Sequence, residues 1–193
     1  MMNKKYEFLT NDTKQWNGKT LYRIRALVDI GLSVAAGDLG GYIEAEKNLS
    51  TSRNAWVYGN AWVYGDARVY GDARVYGDAR VYDNAHVSDN AWVYGNAQIS
   101  GNAWVYGNAQ ISGNAQVSGI ADTLQIGPAK SSGRFTTAHI DKKIGVRVNC
   151  ACFSGTVKEF SDAIEKTHKN NQEYLEQYRL FCQLIAFNFG VIE

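Results

Sequence analysis

Few side chains in this sequence could do chemistry. Histidines stand at 86, 139 and 168, and cysteines at 150, 152 and 182. A histidine within reach of a hydroxyl or amine can serve as a general base. His86, however, sits in Asp83-Asn84-Ala85-His86 inside a repeat whose other copies carry Arg, Trp or Gln at that position, so it reads as a polar surface substitution. His139 and His168 fall in the C-terminal stretch, the latter near the end of a helix, where its charge suits the dipole. Cys150-x-Cys152 puts two sulfurs on one strand face, and with Cys182 and a histidine it invites zinc, yet the spacing matches no Cys-x2-Cys site. The cysteines read as three buried thiols. No catalytic residue, metal or cofactor is assigned.

The one loop with the ingredients of an anion site is Gly127-Pro-Ala-Lys-Ser-Ser-Gly-Arg134. It offers backbone N–H groups freed by glycine, the hydroxyls of Ser131 and Ser132, and the cations Lys130 and Arg134. It lacks a Walker pattern.

These residues depend on the frame that holds them. The 193 residues suit one good-sized domain or two small ones, and 45% hydrophobic content excludes wholesale disorder. A net charge of +1 argues against general nucleic-acid binding or attachment to a membrane surface. Three cysteines, no apolar leader and no long apolar run point to a cytoplasmic protein with neither disulfides nor a membrane span.

From Asn54 to Gly119 the chain repeats (Asn/Asp)-Ala-x-(Val/Ile)-(Tyr/Ser)-(Gly/Asp) eleven times without insertion. Val57, Val63 and their successors lie two residues after an alanine, and two residues apart on a strand is one face, so both point inward. The next two positions, Gly or Asp and then Asn or Asp, tolerate positive φ and turn readily. Each hexad is a short strand and a corner. Three hexads make a triangular coil of 18 residues, and the coils stack at about 4.8 Å as a parallel β-helix.

Gly40-Gly41-Tyr42-Ile43 and Leu49 read as a degenerate first coil, and Ile120 to Ile126 as its fading end, which places the β-helix at 40–126. Residues 1–39 form an N-terminal cap, a hairpin turning at Asn17-Gly18. Residues 127–193 form a small ββαα module, with strands Phe135 to Ile140 and Gly145 to Cys152, a capping box Thr156-Val-Lys-Glu159, and a second helix carrying Leu175, Tyr178, Cys182, Ile185 and Phe189.

The 18-residue register gives the surface directly. One column holds Trp56, Arg74, Trp92 and Gln110; a second holds Trp62, Arg80, Gln98 and Gln116; a third holds Arg68, His86 and Trp104. Arginine between tryptophans suits cation–π stacking. Apolar columns on a soluble protein also suit an interface, so Trp56, Trp62, Trp92, Trp104, Arg68, Arg74 and Arg80 are interface candidates.

The chain resembles the uncharacterised hexapeptide-repeat proteins frequent in phage and prophage genomes, often labelled transferases. The resemblance covers nearly the whole chain. It rests on the Asn-Ala-x-Val-Tyr-Gly repeats, on Arg25-Ala-Leu-Val-Asp29 followed by Gly37-Asp-Leu-Gly-Gly-Tyr-Ile43, and on a C-terminal module with Gly127, Ser132-Gly133-Arg134, Thr136, Cys150-Ala-Cys-Phe-Ser-Gly-Thr156, Glu159-Phe160 and Thr167-His168. The resemblance implies a left-handed coil, a homotrimer and the cytoplasm of a bacterial host. Enzymes of this kind are mostly acyl-CoA-dependent acyltransferases with a histidine base and an extruded loop, and the uninterrupted repeats lack that loop. Small phage proteins without catalytic residues often bind host molecules, including sponges that sequester nucleotide immune signals. On that reading Ser131, Ser132, Gly133, Arg134, Thr136 and Arg147 hold an anionic nucleotide at subunit junctions while Phe153 stacks its base. The alternatives are a scaffold that binds a host protein through its Trp/Tyr/Arg faces, and an acyltransferase.

Overall fold

The computed structural model describes residues 5–191. It shows a parallel β-solenoid of about four turns, capped by a hairpin and closed by an α+β module.

The hairpin pairs β1 (Tyr6–Trp16) with β2 (Lys19–Ala26) in antiparallel register. Its turn takes positive φ at both Asn17 (47°) and Gly18 (74°), the geometry that matches strand twist. β2 pairs with β3 (Leu39–Ile43), and β3 pairs in parallel with Trp62–Val63. The hairpin therefore extends one solenoid face into a seven-stranded sheet. Ile43 and Leu49 are fully buried, as a degenerate first coil requires.

Each hexad contributes a two-residue strand, and strands pair 18 residues apart: Trp56 with Arg74, Arg74 with Trp92, Trp92 with Gln110. The second column pairs Trp62, Arg80, Gln98 and Gln116, and the third Arg68, His86 and Trp104. Backbone bonds such as Tyr58 N–H to Val75 C=O (2.8 Å) tie coil to coil. The repeat alanines and aliphatics are buried in one continuous core. At the corners Gly71 has φ 71°, and a Cβ there would come within 2.7 Å of the Asp89 backbone nitrogen. Asp83 and Asp89 take the same conformation, and each carboxylate accepts the N–H of the glycine one coil on, Gly101 (3.2 Å) and Gly107 (3.0 Å).

The solenoid ends earlier than 126. Its last strand is Gln116–Val117, after which Asp122 accepts the backbone N–H groups of Ser118 and Gly119 and turns the chain out of the coil. β4 (Thr123–Ile126) then pairs antiparallel with β5 (Thr136–Asp141), so the segment belongs to the C-terminal module. β6 (Gly145–Cys150) and β7 (Phe153–Thr156) complete a four-stranded sheet. The module is four strands and two helices because Leu124 and Ile126 pack on its core and not on the solenoid axis. α1 (Val157–His168) starts at the expected capping box, with Glu159 N–H donating to Thr156 Oγ1 (3.1 Å) and Thr156 N–H to Glu159 Oε2 (2.8 Å). α2 (Gln172–Phe189) starts at Asn171 and packs with α1 over the sheet.

Cys150 and Cys182 are buried, but Cys152 is exposed, which corrects the expectation of three buried thiols. β6 ends at Cys150, and Ala151 turns at φ 54°, carrying Cys152 off the strand face.

Candidate functional site

The module docks on the last coil through a buried polar seam. His139 on β5 is wholly buried; its Nε2 faces the backbone N–H of Ser112 (3.3 Å) and the Asn149 amide (3.2 Å), and its Nδ1 faces the Ile140 carbonyl (3.2 Å). One tautomer satisfies all three, with Nδ1–H donating to Ile140 and Nε2 accepting. Asn149 also donates to the Gln110 carbonyl (2.8 Å). Asp141 accepts from Arg147 Nε (2.8 Å), Asn114 N–H (3.0 Å) and Lys143 N–H (2.8 Å). Burial pushes this carboxyl up, but the Arg147 guanidinium and the two N–H donors outweigh it and hold it below the usual carboxylate range.

Docking brings the 133–135 segment over the Trp92/Gln110 column. A cleft of about 330 Å³ opens there, lined by Asn90, Trp92, Asn108, Gln110, Gly133, Arg134, Phe135 and Ala151. The Trp92 ring, 39% exposed, offers a stacking surface. The amides of Asn90, Asn108 and Gln110 offer donors and acceptors side by side. Among the described residues Arg134 forms no ion pair, so its fork is available to an anion. No histidine, cysteine or carboxylate lines the cleft.

The seven predicted ligand residues do not form one site. Gly133 and Arg134 reach the cleft. Ser131 and Ser132 instead face the Tyr178 hydroxyl at 3.0 and 3.5 Å. Thr136, the first residue of β5, is wholly buried, and its hydroxyl has no hydrogen-bond partner among the described residues. Arg147 is spent on Asp141 and on Ser154 Oγ (3.1 Å), and Phe153 packs on Phe160 with ring centres 5.2 Å apart. Nor are the loop's N–H groups freed by glycine. Gly133 N–H donates to Ala129 C=O, Ala129 N–H to Arg134 C=O and Lys130 N–H to Gln177, while the Lys130 ammonium pairs with Glu173.

The interface candidates divide as sharply. Trp56 is wholly buried beneath the N-terminal cap, edge-on to Tyr6 at 6.2 Å, so it is core and not an interface residue. The Arg80 guanidinium lies over both Trp62 and Trp16, at 4.4 and 4.7 Å, where the two indoles meet edge-on, a cation–π cluster closed within the chain. Arg74 lies over Trp92 at 5.6 Å. Arg68 and Trp104 are exposed.

His86 sits between Tyr70 and Trp104, with ring centres 6.0 and 5.4 Å away, and burial followed by the nearby Arg68 charge holds its imidazole below the ordinary value. His168 ends α1 stacked on Tyr178 at 5.1 Å. No cluster of three or more His, Cys, Asp or Glu occurs among the described residues.

A family model described as the YdcK beta solenoid repeat matches residues 67–81, 79–95 and 97–110, all within the coils. The chain is a β-solenoid repeat protein. No curated protein matches it. Among the described residues no helix is long and apolar enough to cross a membrane.

The register predicted Trp92 and Gln110 as column neighbours, and Asn90 and Asn108 lie one coil apart beside them. Nothing in the repeat indicates which of the three faces the 133–135 segment meets.

Proposed function

We propose that this protein is a non-catalytic binding protein of phage type that takes up a small anionic nucleotide in the Trp92–Arg134 cleft and sequesters it. One observation carries the reading: a stacking ring, three amides and a guanidinium with no ion pair among the described residues converge on a cleft of about 330 Å³. These are the groups that recognise a base and a phosphate, and the volume falls in the range of small-molecule sites. The cleft is built within one chain, so a subunit junction is not needed to form it. The same proposal has the coil winding left-handed, three copies assembling, and the protein acting in the cytoplasm of a bacterial host.

The test is a thermal shift of the purified chain against a panel of mononucleotides, cyclic nucleotides and ADP-ribose derivatives, with bound nucleotide recovered after denaturation. Stabilisation by at least one nucleotide, its release unaltered, and loss of the shift in Arg134→Ala and Trp92→Ala are expected. No shift with any member sinks the reading.

A scaffold reading is favoured by a different observation. Trp104, Tyr106 and Ile120 near the end of the solenoid, and Leu180, Leu184 and Phe187 on α2, are large apolar side chains left 46–87% exposed. Apolar side chains left this exposed suit a docking surface, and on this reading the partner is a host protein.

A further inference from the structure

Trp92 walls a second cleft. On the N-terminal side of the same solenoid face, Ser33, Tyr58, Arg74, Tyr76 and Trp92 line a space of about 410 Å³. Ser33 comes from the loop between β2 and β3, so this cleft is bounded by the N-terminal cap as the first is bounded by the C-terminal module. Its walls are mostly ring surface: Tyr58 and Tyr76 meet edge-to-face at 6.5 Å, and Tyr76 meets Trp92 edge-to-face at 6.4 Å. Its cation is Arg74, which forms no ion pair among the described residues and lies over the Trp92 ring.

The two clefts are similar in size, the first richer in amides and the second in ring surface. Each has ring surface from Trp92, each has one guanidinium without a carboxylate, and they sit side by side along one sheet face. A mononucleotide brings one ring and one phosphate end, and would leave one arginine and one cleft unused. Building on the nucleotide reading above, we infer that the ligand class is a dinucleotide, one half lying between Trp92 and Arg134 and the other against the Tyr58 and Tyr76 rings beside Arg74. Neither half need bind tightly, because once one is seated the other binds at the high effective concentration set by its short tether.

The experiment is calorimetric titration of the full chain, and of Arg74→Ala and Arg134→Ala, with adenosine and guanosine monophosphates and with the 5′-phosphorylated linear dinucleotides pApA and pGpG. Both variants change partly or wholly exposed side chains, and unaltered melting temperatures confirm their folds. A dinucleotide is expected to bind the wild-type chain at least ten-fold more tightly than the matching monophosphate. Arg74→Ala should weaken the dinucleotide at least ten-fold and the monophosphate by clearly less. Arg134→Ala should weaken both. If mono- and dinucleotide bind alike, or if Arg74→Ala weakens both equally, the two-cleft inference is overturned while the nucleotide reading stands. If none of the four binds, the two-cleft inference falls, and the nucleotide reading is decided by the wider thermal-shift panel.

Discussion

Mild acid should loosen the junction between solenoid and module, through one side chain. His139 is wholly buried, and its imidazole is held well below the ordinary 6.5, at about 4. Burial is the main cause; the Ile140 carbonyl and the Asp141 charge pull the other way, and the Arg147 charge reinforces burial. The geometry agrees, since a proton on Nε2 would face two groups that already donate to it, Ser112 N–H and the Asn149 amide. The folded value lies below the unfolded one, so the unfolded chain takes up the proton first. The stabilisation from keeping this ring neutral is complete above about pH 6.5 and is lost as pH falls towards 4. The gap between 6.5 and about 4 corresponds to about 3 kcal/mol, a large share of the roughly 5–15 kcal/mol that holds a typical domain folded. The assay is urea unfolding at pH steps from 7 to 4, on the wild type and on His139→Gln, whose amide can make the same bonds without titrating. The wild type should lose about 3 kcal/mol more than the variant over that window. His86, also held low, and the carboxylates titrate in both proteins and cancel in the comparison. Parallel pH profiles for the two would refute the reasoning.

Two further predictions concern the solenoid. Gly71→Ala places a Cβ 2.7 Å from the Asp89 backbone at φ 71°, whereas Gly59→Ala, at φ 56°, meets nothing within 4 Å. Thermal melts should show about 1–2 kcal/mol lost at Gly59, the left-handed cost alone, and a larger loss at Gly71; equal losses would mean the coils yield freely. Ile99→Ala removes a fully buried side chain from the solenoid axis and should cost about 2–5 kcal/mol in chemical denaturation.

The coils were legible to the residue because every hexad repeats three independent signals: an aliphatic and an alanine on one face, and a corner residue that accepts positive φ. The register then fixed all three columns, which the strand pairs reproduce. The fate of Trp56 was not legible from the repeat, since an outward position is exposed only where nothing lies over it. A signal did exist at Gly40, where a Cβ would come within 2.8 Å of the Trp56 ring. A glycine there lets the cap close over the indole. The C-terminal loop misled for a related reason. Glycines and hydroxyls suggest an anion cradle only if their polar groups are free, and here the loop bonds to itself and to α2. The seam that docks the module, Ser112 with His139 and Asn149, joins residues 27 and 37 apart with no shared motif.

The caps, more than the repeats, give this solenoid its asymmetry. A regular prism presents three similar faces, each a column of Trp, Arg, Gln or His. Here the hairpin covers one face where Trp16 packs against Trp62, and the 27–38 loop and the 133–135 segment border a second face from opposite ends at the shared Trp92. Their separation is set by the number of coils between them, in steps of about 4.8 Å. A solenoid tolerates gain or loss of a whole coil because each repeat contacts only its neighbours. Adding one coil would therefore keep the fold and every local contact, yet it would move one cleft away from Trp92 and separate the two. Coil number thus sets the spacing of the two clefts, and residues with no polar group in either cleft, such as Val75 and Val93, help to position both.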